Sequence, residues 1–62
     1  MLQVTITELF LTVKGTPEQI EAIRAKGIEV VTVKGEYTIM GDPKTLYMVL
    51  LKLSFDWDIE LV

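Results

Sequence analysis

The chain has 62 residues, half of them hydrophobic, and a net charge of −3 at pH 7. It contains no cysteine and no histidine, which excludes disulfides and thiolate metal sites and removes the commonest general base near neutral pH. We expect a single domain over residues 1–62 that buries only about 60% of the surface of its unfolded chain. Oligomerisation is then the remaining source of extra stability.

Charge and hydropathy limit the environment and the partners. The six basic residues are scattered singly along the chain, whereas binding to a nucleic-acid backbone needs clustered Lys and Arg. No apolar run approaches the ~18–20 residues that span a bilayer, and the first residues carry neither a basic region nor a signal-peptide core. We therefore expect a cytoplasmic protein that binds no nucleic acid and no membrane.

The first stretch, Leu2 to Val13, alternates with the period of two of a β-strand. Its apolar residues fall into two sets of opposite phase: Leu2, Val4 and Ile6, then Leu9, Leu11 and Val13. One extra residue near Thr7 and Glu8 restores the phase, so one interpretation is a single strand with a β-bulge. The alternative is a regular strand whose two ends bury opposite faces.

A helix follows Gly15. Thr16, Pro17 and Gln19 form a capping-box pattern, and Gly27 is a good helix stop, so the helix is expected to end at Lys26. Its apolar stripe is thin, which predicts a helix that lies on a sheet and is otherwise solvated.

The next two strands form a hairpin. The β-branched run within Ile28 to Val33 predicts one strand and Glu36 to Met40 the other. Lys34 and Gly35 make the tight turn between them, because glycine readily adopts positive φ.

The second helix is the most apolar element. Asp42 is a good N-cap and Pro43 suits the first helical position. One stripe is expected to cover the sheet: Leu46, Val49, Leu50 and Leu53. Tyr47, Met48 and Leu51 form a second apolar face, which predicts an interface because the outer face of such a helix should be wet.

The C-terminal segment alternates strictly, with apolar residues from Phe55 to Leu61 and acids at Asp56, Asp58 and Glu60. This predicts a strand with an acidic ladder on its solvent face, where charge discourages edge aggregation. Two alternatives remain open: a mimic of nucleic-acid phosphates, since alternate strand residues lie ~6.6–7 Å apart, and a divalent-cation site.

The predicted fold is α+β, a two-layer sandwich in the order β-α-β-β-α-β. Two right-handed crossovers give a four-stranded antiparallel sheet, strand order 4-1-3-2, with two helices on one face. The pattern resembles the ferredoxin-like fold in order of elements alone. No family motif accompanies it, so the resemblance implies no function.

Few residues suggest chemistry. A Tyr or Thr without an activating partner is a poor catalyst, so we expect no enzymatic activity, no cofactor and no metal. Phe10 and Tyr37 fall on central strands, where RNA-binding modules of this topology carry stacking aromatics, but the basic residues of those modules are missing. Phe10 and Met40 are instead expected, with the second face of the second helix, to form an interface.

Three functional hypotheses follow. The first is a non-enzymatic interaction protein, a homodimer or higher oligomer that regulates or inhibits another protein. The second is a small-molecule-sensing module with its ligand at a subunit interface. The third is a designed domain with no biochemical role.

Overall fold

The computed structural model describes residues 1–62. It contains five strands and two helices: β1 (Leu2–Ile6), β2 (Phe10–Lys14), α1 (Pro17–Ala25), β3 (Val31–Val33), β4 (Glu36–Met40), α2 (Pro43–Ser54) and β5 (Ile59–Leu61). The strands form one mixed sheet in the order β3-β4-β2-β1-β5. The α+β class is confirmed, whereas the prediction of four antiparallel strands is wrong.

The first predicted strand is a hairpin of two strands, and neither the bulge nor the two-faced strand is correct. β1 and β2 pair antiparallel, with Val4 opposite Val13 and Ile6 opposite Leu11. The chain reverses between Thr7 and Phe10, where the Thr7 N–H donates to the Phe10 carbonyl at 2.8 Å. The change of phase in the sequence therefore marks a turn, after which odd-numbered residues share the face of the earlier even-numbered ones.

The extra strand also explains why the sheet is mixed. β5 lies beside β1 and runs parallel to it, while β2 pairs antiparallel with β4. Because β1 and β2 run in opposite directions, β5 is antiparallel to β2, the strand that leads into α1. The predicted neighbour order is thus kept, with the hairpin in the place of the first strand and a parallel pair at one edge.

Local signals place both helices and the turn between β3 and β4. The Thr16 hydroxyl accepts from the Gln19 N–H at 3.2 Å, and the Gln19 side chain accepts from the Thr16 N–H at 2.8 Å. Asp42 caps α2 by accepting from the Thr45 N–H at 2.8 Å. Lys34 and Gly35 both have positive φ, 52° and 80°, as a two-residue hairpin turn requires.

The C-terminal strand is shorter than its alternating sequence predicts. α2 continues to Ser54, and the amides of Phe55, Asp56 and Trp57 hydrogen bond back to carbonyls of its last turn. The chain then enters β5 at Ile59. The connection is thus four residues long and needs no glycine, because Phe55 keeps helical backbone angles.

The core lies between the sheet and the two helices. Eleven buried hydrophobic residues form it: Leu2, Val4, Leu11, Val13, Ile20, Ile23, Val30, Ile39, Leu46, Val49 and Leu53. The strand members share one face by register, and both helices contribute, so both helices cover the same face. The opposite face of the sheet, which we call the open face, has no element packed on it.

Candidate functional site

The outer side of α2 exposes several large apolar side chains. α2 already buries Leu46, Val49 and Leu53 against the sheet. Its other side exposes Tyr47 by 65%, Met48 by 55% and Leu51 by 59%. These are the three residues predicted to form a second apolar face, and all three lie at the surface of the monomer.

Phe55 extends this surface beyond the region that the sequence indicated. It was expected to lie within the last strand, but it is the C-cap of α2 and is 78% exposed. Since its backbone is helical, it lies in line with Met48 and Leu51, four residues beyond Leu51. We call Lys44, Met48, Leu51 and Phe55 the outer stripe of α2.

An apolar groove separates α2 from β5. It is lined by Tyr47, Leu50, Leu51, Ser54, Ile59 and Leu61 and has a volume of about 380 Å³. Leu61 projects from the edge strand on the helix-covered side and is 65% exposed. The outer stripe and the groove are therefore continuous through Leu51.

β5 also presents an unpaired main-chain edge. The Asp58 carbonyl and the Val62 N–H both bond to β1. Main-chain groups of alternate strand residues point to the same side, so those of Ile59 and Leu61 point away from the sheet. The strand has three residues, which limits how many hydrogen bonds this edge can offer.

The open face carries the other two predicted interface residues. Phe10 and Met40 lie directly opposite each other on β2 and β4 and are 42% and 57% exposed. Beside them, Thr5, Thr12 and Thr38 form a row across β1, β2 and β4. Val31 and Val33 of β3 lie on the same face by register, so the open face is apolar near Phe10 and along β3 and polar between them, and it does not meet the outer stripe of α2.

A shallow polar depression of about 230 Å³ lies on the open face. The polar residues that line it are Gln3, Thr5, Thr12, Lys14, Glu36 and Tyr37. By register, Lys14 lies between Gln3 and Glu36. The depression thus offers one cationic side chain and hydroxyl groups without enclosing a ligand.

The three acids predicted to form a ladder do not share one strand. Asp56 lies in the turn after α2 and forms an ion pair with Lys26, and Asp58 precedes β5. Glu60 is on β5 and accepts a hydrogen bond from the Gln3 side-chain amide at 2.9 Å. The even ladder that a phosphate mimic needs is therefore absent, and no group of three or more acids is placed to share a metal ion.

The pKa of Asp42 lies below its ordinary value. The side chain of Thr45 and then the Thr45 N–H stabilise the ionised carboxylate, against a small opposing effect of burial. This negative charge stabilises the N-terminus of α2, where the helix dipole also favours an anion. Asp42 is therefore a helix cap.

Comparison with protein-family models, with curated proteins and with solved structures gives no match to this chain. Neither helix has the length and apolar content needed to cross a membrane.

Proposed function

We propose that this chain is a small, non-enzymatic cytoplasmic protein that self-associates and regulates or inhibits another protein. The observation that carries the proposal is the outer side of α2, where Tyr47, Met48 and Leu51 are each more than half exposed. Contiguous apolar patches of this kind usually mark interaction surfaces. A helix that has already buried one stripe has no folding reason to carry a second.

Three further features support a binding role. The chain has neither histidine nor cysteine, and the Asp42 carboxylate is engaged as a helix cap. The sheet, with its open face uncovered, supports a ferredoxin-like arrangement whose first strand is split. In that arrangement Phe10 and Met40 remain available to a protein partner after α2 has been covered by self-association.

The test is the double variant Met48→Glu/Leu51→Glu. Burying each native side chain is worth about 1.5–3 kcal/mol in full, and a buried unpaired carboxylate is costly. We expect the native chain to sediment as an oligomer and the variant as a folded monomer. Analytical ultracentrifugation over a dilution series measures this, and circular dichroism checks the fold.

The matched control adds two charges elsewhere. Ala25→Glu/Thr32→Glu changes exposed positions on α1 and β3 and should leave the oligomer intact. A native chain that stays monomeric at high micromolar concentration contradicts the proposal. A Met48→Glu/Leu51→Glu chain that unfolds would mean that this face is needed within the monomer.

A second candidate function is a module that senses an apolar small molecule in the groove between α2 and β5. The groove volume of about 380 Å³ lies within the range of about 300–1,000 Å³ for small-molecule sites. A ligand there raises the melting temperature, because it binds only the folded state. Leu61→Glu should abolish such a shift, while Met40→Thr on the open face should not.

A further inference from the structure

We propose that a second copy of the chain covers the outer stripe of α2, with the two α2 helices packed antiparallel about a twofold axis. The inference rests on the proposed self-association and specifies its geometry. Met48 of each copy then faces Leu51 of the other, and Lys44 of each copy faces Phe55 of the other.

The spacing of the stripe favours helix–helix packing. Lys44, Met48, Leu51 and Phe55 are separated by four, three and four residues, which is the alternation of a coiled-coil seam. Phe55 continues the stripe because its φ of −71° and ψ of −28° are helical. A seam of this kind accepts another helix more readily than it accepts a flat surface.

Charge decides the direction. The stripe begins with the cation Lys44 and ends at the aromatic side chain of Phe55. Antiparallel packing brings Lys44 of each copy to the Phe55 ring of the other copy, and a cation over an aromatic face is attractive. Parallel packing would instead oppose Lys44 to Lys44. Antiparallel helix dipoles add to the preference.

The available area suits a second copy. A standard interface buries about 800 Å² on each partner, roughly a fifth of the 4290 Å² surface of this chain. Aromatic side chains bury 150–250 Å² each, so the exposed fractions of Tyr47 and Phe55, 65% and 78%, supply about a third of that requirement. Met48 and Leu51 lie beside them.

Pairing through the β5 edge is the competing arrangement, and it is less favourable. A pairing centred on Glu60 places the two Glu60 side chains opposite each other, and like charges in that position are destabilising. A pairing centred on Leu61 avoids this contact but uses few main-chain bonds. The edge of β5 therefore remains solvated in the proposed dimer.

Single cysteine variants test the geometry, because the native chain contains no thiol. The positions are exposed: Lys44→Cys, Phe55→Cys and, for the β5 edge, Leu61→Cys. In the proposed dimer the two copies of residue 44 lie ~16 Å apart along the helix axes, too far for a disulfide, whereas residues 44 and 55 are neighbours. An oxidised mixture of Lys44→Cys and Phe55→Cys chains should give the mixed disulfide in several-fold excess over either homodimer, as measured by mass spectrometry.

The other possible cross-linking and sedimentation results would each contradict the proposed dimer in a different way. Cross-linking of Phe55→Cys with itself at an equal rate, in a variant that keeps both Lys44 charges, would indicate parallel helices and overturn the inference while leaving self-association intact. Selective cross-linking of Leu61→Cys would indicate the β5 edge and overturn it in the same way. A native chain that sediments as a monomer, with no cross-linking in any variant, would overturn both the geometry and the proposed function.

Discussion

Single side chains define where each helix begins. At α1, Thr16 and Gln19 exchange hydrogen bonds between side chain and main chain, so two N–H groups that the helix leaves unpaired are satisfied at once. Gly15 permits this arrangement, because a Cβ there would lie 2.6 Å from the Gln19 side-chain oxygen and 2.7 Å from Leu2. The capping box and the start of the core are thus packed against each other.

Removing the Thr16 hydroxyl should weaken the fold measurably. Thr16→Ala is expected to lower the free energy of unfolding by about 1 kcal/mol, the usual cost of losing an N-cap. In a domain of this size that corresponds to a fall in Tm of about 4–8 °C. Thr16→Ser keeps the hydroxyl and is the matched control; an equal loss in both variants would show that the cap is not responsible.

Asp42 gives the fold an acid-sensitive element. Its pKa is lowered in the folded chain from the ordinary value of 3.8, so its contribution to stability is complete above that value and is lost as the pH falls through the lowered folded-state pKa. Asp42→Asn retains a capping side chain that does not titrate. Between pH 7 and pH 2, the Tm of the native chain should therefore fall further than that of Asp42→Asn. Parallel Tm curves for the two chains would contradict this account.

At the scale of elements, the sequence correctly predicts the helices and the turn whose ends carry typical capping or turn residues. The caps of α1 and α2, the Lys34–Gly35 turn and the β4 strand are confirmed, since each depends on neighbouring residues alone. The turn between β1 and β2 has no glycine, asparagine or proline, and the only non-glycine residue with positive φ in the chain is Lys34. The sequence did not predict this hairpin because its turn contains none of the residues typical of turns. The only indication of it was the shift in phase of the apolar alternation between β1 and β2.

The C-terminal segment shows a different limit. Its alternation from Phe55 to Leu61 matches a strand, yet the helix continues to Ser54 and the following amides complete its last turn. Periodicity over so few residues does not distinguish a strand from a helix end followed by a short strand. The same error concealed Phe55 as part of the α2 surface, and it made three acids appear as one ladder.

The two sides of α2 should respond differently to truncation. Leu46 is fully buried, so Leu46→Ala is expected to cost about 2–5 kcal/mol. Leu51 is 59% exposed, so Leu51→Ala should change the stability of the monomer by no more than about 0.5 kcal/mol. Urea unfolding at low micromolar concentration, where self-association contributes least, measures both. A large loss in Leu51→Ala under these conditions would place Leu51 inside its own fold.

At the scale of the whole molecule, most residues, including many hydrophobic ones, lie at the surface. Only 12 of 62 residues are buried, although half of the chain is hydrophobic. Composition therefore predicted that apolar groups would remain outside, and the helical period predicted that many would lie on α2. Phe10 and Met40, which were predicted to be interface residues, lie on the open face. What covers Phe10 and Met40 depends on a partner, and no pattern along the chain identifies it.

Self-association should make the stability of the molecule depend on its concentration. Because the second copy binds only the folded subunit, each tenfold rise in concentration above the dissociation constant stabilises the folded dimer by about 1.4 kcal/mol. This raises Tm by several degrees over a hundredfold range in a domain of this size. Met48→Glu/Leu51→Glu should melt at one temperature throughout, because its folded state does not associate. Differential scanning calorimetry at a series of concentrations measures both chains under the same buffer. A native Tm that is independent of concentration, over a range in which sedimentation shows the oligomer dissociating on dilution, would contradict this account, because a partner that binds only the folded subunit must stabilise it.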